Sequence, residues 1–267
     1  MIHNNFRPIP IFTYHSISYS AGYKFLPFIV RPDDFAAQMA YLHDLGYTPM
    51  TVSNLVAAMQ QQDDALSQNV VAITFDDGYA DFYYEALPVL QHYGIPATLY
   101  VTTAYVGSRS KWLAPLKEGS RPMMTWSMIR KAHEAGIEIG AHSHSHPELD
   151  ILPNEQALEE ICKPKPLLEA QIGAPVKSFA YPYGYHSAAT IELVKTAGYT
   201  SACTVNHAFS FSGDNVFALS RIPVLVDTHL ADFRKWLRGE GLPVAPQREL
   251  LRSKMWRSYR RLRMNSI

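Results

Sequence analysis

Residues 70–78 have the sequence VVAITFDDG. The first six residues are apolar or β-branched, a composition typical of a strand that is buried on both faces of a sheet. This strand ends in two adjacent carboxylates, Asp76 and Asp77, followed by Gly78. Because like charges repel and burial penalises ions, the pair indicates one of two structures. It is either a turn that begins the next helix, or a site where one carboxylate binds a cation and the other moves a proton.

Short apolar segments alternate with helical patterns on both sides of this strand. The alternation predicts an α/β fold with a parallel sheet, open or closed into a barrel, and a site at the carboxyl ends of its strands. We expect Pro164 and Pro166 to kink or break one of the helices. Strands are predicted over residues 9–14, 70–75, 97–102, 137–139, 177–180, 200–204 and 219–224, and helices over 32–45, 51–59, 80–93, 126–135, 154–172 and 188–197.

A histidine-rich segment, GAHSHSHP, follows another predicted strand at residues 140–147. His142 and His146 would share one face of a helix, and in an extended segment His144 would join them. Pro147 disfavours a regular helix through the segment. Neutral imidazoles and a carboxylate are the usual donors to a catalytic Zn²⁺ or a similar divalent ion. The alternative is a polar loop whose histidines form local hydrogen bonds.

The third motif, FAYPYG, occupies residues 179–184 after a further predicted strand. Such a turn can present a backbone N–H and an aromatic ring to a ligand, although similar turns also occur as packing features. Trp112 lies in a long predicted connection, where it either stacks on a ring of the ligand or packs within the loop.

Together, the three motifs resemble those of the polysaccharide deacetylases, the NodB-type family also called carbohydrate esterase family 4. Residues 74–78, TFDDG, match the first motif, and residues 142–146, HSHSH, match the H-[S/T]-x-x-H pattern of the second. Residues 179–184 match part of the third motif. The resemblance implies a distorted (β/α)7-type barrel, the NodB homology fold, which we assign to residues 1–245, with 246–267 as a basic C-terminal tail.

The resemblance also implies a metal-dependent hydrolase of linear amides. Asp77, His142 and His146 would bind a divalent ion, Zn²⁺ by default, although the same ligands suit other divalent ions. Metal-activated water would attack the N-acetyl group of an N-acetylhexosamine-containing polysaccharide or oligosaccharide. Asp76 would act as the base, and the Tyr183 backbone N–H would stabilise the oxyanion.

Two positions depart from the family pattern. The third motif often carries an arginine that orients the base, and Ala180 occupies that position here. Arg221 is the candidate replacement, unless it is a surface arginine. The usual C-terminal motif with a general-acid histidine is not evident, but residues 12–16, FTYHS, resemble the N-terminal strand of the poly-β-1,6-N-acetylglucosamine deacetylase branch. That resemblance implies His15 as the general acid, and the Tyr-Pro-Tyr-Gly form of the third motif indicates the same branch.

Other functions compete with this prediction. The same fold can hydrolyse a small non-polymeric amide, or the chain can be a non-catalytic carbohydrate-binding relic. The presence of both Asp76 and the candidate metal ligands argues against a relic, since binding alone needs no base. A non-haem iron oxygenase also uses two histidines and one carboxylate, but it needs no second aspartate and does not predict the Tyr-Pro-Tyr-Gly turn.

The charge of the chain is concentrated near its C-terminus. The formal net charge is zero, so no domain-wide basic footprint for nucleic acid is present. Residues 248–263 nevertheless carry a net charge of +6. Leu251, Met255, Tyr259 and Leu262 form an apolar stripe at helical spacing. This pattern predicts a helix that contacts an anionic membrane surface or a partner such as a synthesis complex, or one that packs across the barrel with its basic face in solvent.

The sequence contains no apolar run of the ~20 residues that a membrane-spanning helix needs. Its N-terminus lacks the apolar core and small-residue cleavage site of a signal peptide. From these features we expect a cytoplasmic or peripheral-membrane location.

Overall fold

A curled parallel sheet surrounds the strand that the sequence analysis begins from. The computed structural model describes residues 8–63, 66, 69–246 and 251–264. The strands are β1 (Ile11–Tyr14), β2 (Ser16–Ile17), β3 (Ile29–Val30), β4 (Thr48–Met50), β5 (Val70–Phe75), β6 (Thr98–Val101), β7 (Glu138–Ala141), β8 (Ser178–Ala180), β9 (Ser201–Cys203) and β10 (Ile222–Pro223). The helices are α1 (Pro32–Asp44), α2 (Val52–Gln61), α3 (Leu87–Tyr93), α4 (Trp126–Glu134), α5 (Asn154–Cys162), α6 (Pro164–Ile172), α7 (Ala188–Thr196), α8 (Leu230–Leu237) and α9 (Leu251–Met264).

Seven strands follow one another around the sheet in the order β10-β1-β5-β6-β7-β8-β9, and all are parallel. The two ends of this order approach each other, because Leu219 bridges to Cys203 of β9 while Ile222 pairs with Phe12 of β1. β4 pairs with the first half of β5 and β6 with its second half, so two strands share one edge. This irregularity distorts the barrel, and the predicted distorted (β/α)7-type barrel is confirmed.

Both faces of β5 are buried, which explains its unbroken apolar sequence. Val71, Ile73 and Phe75 pack in the layer between the sheet and the surrounding helices. Val70 and Ala72 face the second core cluster, to which α2 contributes. Because side chains alternate along a strand, Thr74 lies on the same face of β5 as Ala72 and points toward the barrel interior.

Most of the predicted elements are present, with local differences. Thr48–Met50 forms a strand that the sequence analysis missed, and the two-residue strands β2 and β3 form a separate small sheet. The predicted helix over residues 80–93 contains a π-helical segment, Phe82–Ala86, before α3. Pro88 lies in the first turn of α3 and has no N–H to donate, which accounts for the change in hydrogen bonding.

The predicted strand over residues 219–224 is reduced to β10, because the segment passes from β9 to β1 and is regular only at Ile222–Pro223. The predicted break in the helix over residues 154–172 is confirmed. It divides at Lys163, next to Pro164, into α5 and α6.

Helix α9 packs on the barrel through basic residues rather than through its apolar stripe. Arg260 is bound to Asp150, and Arg257 donates to the His186 carbonyl. The helix does pack on the barrel, as one of the alternatives predicted, but Arg260 is buried in that contact instead of facing solvent. No helix in the described part of the chain is both long and apolar enough to span a membrane. The division of the chain at residue 246 stays a prediction.

Candidate active site

Side chains from several strand ends meet at the carboxyl edge of the sheet, where parallel barrels place their sites. The candidate catalytic and metal-binding residues of the sequence analysis lie in segments that adjoin these strands. His15 follows β1, Asp76 and Asp77 follow β5, His142 and His146 follow β7, Tyr183 follows β8, and Arg221 precedes β10.

Asp77, His142 and His146 form a buried cluster whose potential ligand atoms all lie within 4.8 Å of one another. The Asp77 Oδ1 atom is 3.2 Å from Nε2 of His146 and 3.5 Å from Nε2 of His142. This oxygen accepts no hydrogen bond from any described residue although it is buried. A carboxylate and two imidazoles around an unsatisfied buried oxygen fit a divalent ion with open coordination positions.

The Ala180 backbone fixes the orientation of His142. Its carbonyl oxygen is 2.8 Å from Nδ1 of His142, and because a carbonyl only accepts, that nitrogen carries the proton. Nε2 then carries no proton, and its lone pair faces Asp77, where it is available to coordinate a metal ion. Burial lowers the pKa of His142 to about 4, so the ring is neutral near pH 7.

Strained backbone shapes the turns that carry these ligands. Asp77 and His146 have φ values of 74° and 68°, a region that costs non-glycine residues about 1–3 kcal/mol each. The Ser143 hydroxyl accepts a hydrogen bond from the His146 N–H and stabilises the second turn. His144 contacts Thr103 instead, with 2.9 Å between Nδ1 and Oγ1. The segment is therefore neither the helix nor the extended strand that its histidine spacing allowed.

Asp76 is held by Arg221, which is fully buried and not a surface arginine. The two guanidinium Nη atoms donate to the two carboxylate oxygens at 2.7 Å each. Further hydrogen bonds from Arg221 to the Thr74 hydroxyl and the Thr204 carbonyl fix the guanidinium. Burial alone would raise the pKa of Asp76, but the charge of Arg221 outweighs it, so the pKa lies below its ordinary value.

His15 lies at the end of β1, half-buried, with its ring edge-on to Phe28 at 5.5 Å. Its Nδ1 atom is buried and has no hydrogen-bond partner among the described residues. The residue after it is anchored, because the Ser16 hydroxyl donates to Asp81 and accepts from Arg121. His15 is therefore on the same edge as the two aspartates, but it makes no direct hydrogen bond to either in the structure.

Aromatic rings border the cluster of Asp77, His142 and His146. Tyr183 packs edge-on against His146 with 4.6 Å between ring centroids, and nearly half of its surface is exposed. Trp112 stacks on the same histidine at 5.2 Å and contacts Tyr105. At least one side of the Trp112 ring is therefore used in packing, as the packing alternative predicted.

Two contributors to the site were missed in the sequence. One is the Ala180 carbonyl, which belongs to the backbone, so the residue type gives no sign of its contact with His142. The other is Tyr79, which is buried one residue after the first motif with its hydroxyl beside Asp77. Burial, and then the charge of Asp77, raise the pKa of Tyr79 well above its ordinary value. Its position directly after Asp76-Asp77-Gly78 was the available signal.

Comparison with known proteins agrees with this geometry. The family model for polysaccharide deacetylases matches residues 63–202, just over half of the chain. The chain belongs to the polysaccharide deacetylase family. A protein of Bacillus subtilis (strain 168) that is named for polysaccharide deacetylase activity is 30% identical over 216 residues, which cover 81% of this deacetylase and 71% of the relative.

Two further relatives agree with this family. The poly-β-1,6-N-acetyl-D-glucosamine N-deacetylase of Escherichia coli (strain K12) is 23% identical over 265 residues, covering 86% of this deacetylase but only 38% of the relative. The structure of Streptococcus pyogenes deacetylase PplD in complex with acetate superposes with a TM-score of 0.74 at 25% identity, covering 85% of this deacetylase and 97% of that chain. The predicted family, NodB-type fold and hydrolase class are confirmed, whereas the roles of individual site residues stay predictions.

Proposed function

We propose that this polysaccharide deacetylase removes N-acetyl groups from an N-acetylhexosamine-containing polysaccharide or oligosaccharide with the help of a divalent metal. The observation that carries the proposal is the divided environment of two adjacent carboxylates. Asp77 faces two histidines, whereas Asp76 faces Arg221. The name of the E. coli relative supports an N-acetylated glycan as the substrate.

Asp77, His142 and His146 would hold the metal. A divalent ion there would supply a Lewis acid that polarises the acetyl carbonyl and acidifies water. Zn²⁺ is our first choice, because two neutral imidazoles and one carboxylate are typical zinc donors. The protonated Nδ1 of His142 on the Ala180 carbonyl keeps its Nε2 directed at the ion.

Asp76 would accept the proton of the attacking water. Its lowered pKa keeps it ionised at neutral pH, and the two hydrogen bonds from Arg221 fix both oxygens in one plane. Arg221 is therefore a positioning residue in this proposal. A base that is held in this orientation does not have to reorient before it accepts the proton of the attacking water.

The remaining steps fall to the other two candidates. As the water oxygen bonds to the carbonyl carbon, the Tyr183 backbone N–H would donate to the developing oxyanion. The carbon–nitrogen bond then breaks, and His15 would give a proton to the departing sugar amine. The products are acetate and a free amine on the glycan. Tyr183 is about half exposed, so its ring is accessible to a substrate from solvent.

Acetate release tests this proposal. The metal-loaded protein is incubated with β-1,6- and β-1,4-linked N-acetylglucosamine oligomers, and we expect release that a chelator abolishes. Asp76→Asn should reduce kcat by about 10²–10⁴-fold. Asp44→Asn, at an exposed carboxylate on α1, is the matched control and should leave release unchanged. Activity on small amides alone would support the small-amide alternative, and no release from any substrate would support a relic.

Metal content provides an independent reading of the ligand set. We expect about one divalent ion per chain in the reconstituted protein, from the single three-residue cluster among the described residues. Substituting His142→Gln together with His146→Gln should remove it. Full retention of the ion in that double variant would contradict the assigned ligands.

The role of His15 can be separated from that of Asp76 by the leaving group. An activated phenyl acetate needs no proton on its leaving oxygen, whereas a sugar amide does. His15→Gln should therefore slow the amide by at least about tenfold and leave the ester nearly unchanged. Asp76→Asn should slow both substrates. Equal losses on amide and ester in His15→Gln would remove His15 as the acid.

A further inference from the structure

Helix α9 presents its apolar stripe away from the barrel. An α-helix advances about 100° per residue, so Leu251, Met255, Tyr259 and Leu262 fall within one narrow sector. The exposed fractions of these four side chains are 78%, 72%, 53% and 69% in chain order. A stripe that packed against the protein would be largely covered, and this one is not.

The opposite side of α9 is tied to the barrel. Arg260 is only 7% exposed and donates to both oxygens of Asp150 at 2.9 and 2.7 Å. It also donates to Glu148 and lies over the Tyr185 ring at 3.8 Å. The Trp256 indole N–H adds a hydrogen bond to the Tyr185 hydroxyl. These contacts fix the rotation of the helix about its axis and keep the stripe outward.

The charge of α9 is entirely positive. The helix contains six basic residues and no acidic residue. Arg257, Arg260 and Arg261 make the contacts with the barrel. The other three are exposed. Their angular positions place Lys254 on one side of the apolar stripe and Arg252 and Arg263 on the other.

We infer that α9 binds an anionic membrane surface, lying in its plane with Leu251, Met255 and Tyr259 inserted and the flanking cations at the headgroups. An apolar stripe between two rows of basic residues is the arrangement that in-plane helices use. The helix is 14 residues long, about 21 Å at 1.5 Å per residue, which is too short to cross the hydrocarbon layer. A second copy of the chain would set identical cations against each other, which disfavours self-association through this face.

This surface is connected to the candidate active site. α9 is bound to Glu148 and Asp150, which follow His146, and to Tyr185 and the His186 carbonyl, which follow Tyr183. A membrane bound along the outer face of α9 would therefore lie beside the carboxyl edge of the barrel. The enzyme would be held with that edge close to the bilayer.

Vesicle flotation of the full-length protein tests the inference. We expect binding to phosphatidylcholine vesicles that contain phosphatidylglycerol, and weaker binding at high salt. Removing two flanking charges with Lys254→Gln and Arg263→Gln should weaken binding roughly thirtyfold. Leu251→Ser with Met255→Ser should also weaken it, by at least about tenfold. Lys131→Gln with Lys177→Gln removes two exposed cations elsewhere and should change nothing.

Three results would overturn the inference. These are no binding to anionic vesicles, equal binding of the Lys254→Gln/Arg263→Gln variant, and a concentration-dependent dimer that Leu251→Ser/Met255→Ser abolishes. The last would make a second copy the occupant. The inference does not rest on the proposed function, since both α9 variants should release acetate from soluble oligomers at the wild-type rate. A loss of catalysis without a loss of flotation would affect the proposed function alone.

Discussion

Two buried arginines bind an aspartate in the same way at two places in this deacetylase. Arg221 donates to both oxygens of Asp76 at 2.7 Å, and Arg260 donates to both oxygens of Asp150 at 2.9 and 2.7 Å. Their settings differ. Arg221 is enclosed by the barrel and bound to strand β5 through Thr74. Arg260 belongs to a C-terminal helix that contacts the barrel from outside.

This difference in setting predicts that the same kind of ion pair has a different role at each of the two places. When a buried charge loses its partner, the cost is large only if water cannot reach the charge that is left. Asp76 lies within the barrel, so we expect that water reaches it only when the strands separate in global unfolding. Helix α9 contacts the barrel from outside, so we expect that it can leave the surface and expose Asp150 to water. Under the proposed function, Arg221 would orient the reacting Asp76 carboxylate, whereas Arg260 attaches a helix to the barrel.

The largest effect is expected from Arg221→Met. It leaves the Asp76 charge buried and unpaired, which should reduce the free energy of unfolding by about 3–5 kcal/mol. Acetate release should fall at least about tenfold, because the base loses its orientation. Urea unfolding and acetate release measure the two effects. Arg221→Lys keeps the charge but not the two parallel hydrogen bonds, so it should be intermediate.

The double variant Asp76→Asn/Arg221→Met is the control for this prediction. It removes both charges, so it should be more stable than Arg221→Met, while acetate release should stay as low as in Asp76→Asn because the proposed base is gone. A single Arg221→Met variant that is as stable and as active as the wild type would show that the pair holds nothing in place.

A smaller effect is expected from acid in the metal-free protein. The pKa of His142 is about 4 in the folded state, against an ordinary value of 6.5. Between these values the unfolded chain takes up a proton that the folded chain refuses, so stability falls as the pH is lowered. The loss should reach on the order of 3 kcal/mol near pH 4. The lowered pKa of Asp76 affects stability in a lower pH range, because the stabilisation that it provides is lost only as the pH falls below about 4.

Urea unfolding at a series of pH values, with and without added Zn²⁺, measures this slope. His142→Gln should flatten it between pH 6.5 and 4, and metal should move the loss of stability to lower pH because it binds neutral imidazole. The attachment of α9 by Arg260, Asp150 and Glu148 contains no histidine side chain. An unchanged slope in His142→Gln would contradict the burial effect.

The sequence predicted those parts of the molecule that follow from local pattern. The apolar run of β5 is continuous because both of its faces are buried, and its end locates Asp76 and Asp77. The four-residue spacing of His142 and His146 predicted their convergence, although a turn at Ser143 produces it instead of a helix. β4 was missed because three residues that include Pro49 carry no strand pattern of their own.

The parts that the sequence left open or missed depend on distant contacts. Arg221 is 145 residues from Asp76, and its burial requires the segment before β10 to pass between β9 and β1. The Ala180 carbonyl contributes through the backbone, which no residue type indicates. In α9, periodicity located the apolar stripe but not whether it faces the barrel or solvent. The contacts of Arg260 decide that, and they are long-range.

The smallest effect on global stability is expected from Arg260→Met. If α9 detaches and lets water reach Asp150, the free energy of unfolding measured in urea should change by less than about 1 kcal/mol. The helix itself should become accessible, so trypsin should cleave at Lys254 and Arg257 much faster than in the wild type. Arg263→Met, at an exposed arginine of the same helix, is the matched control and should not speed cleavage. A loss of stability as large as that of Arg221→Met would mean that α9 cannot leave, and that the two arginines play the same part.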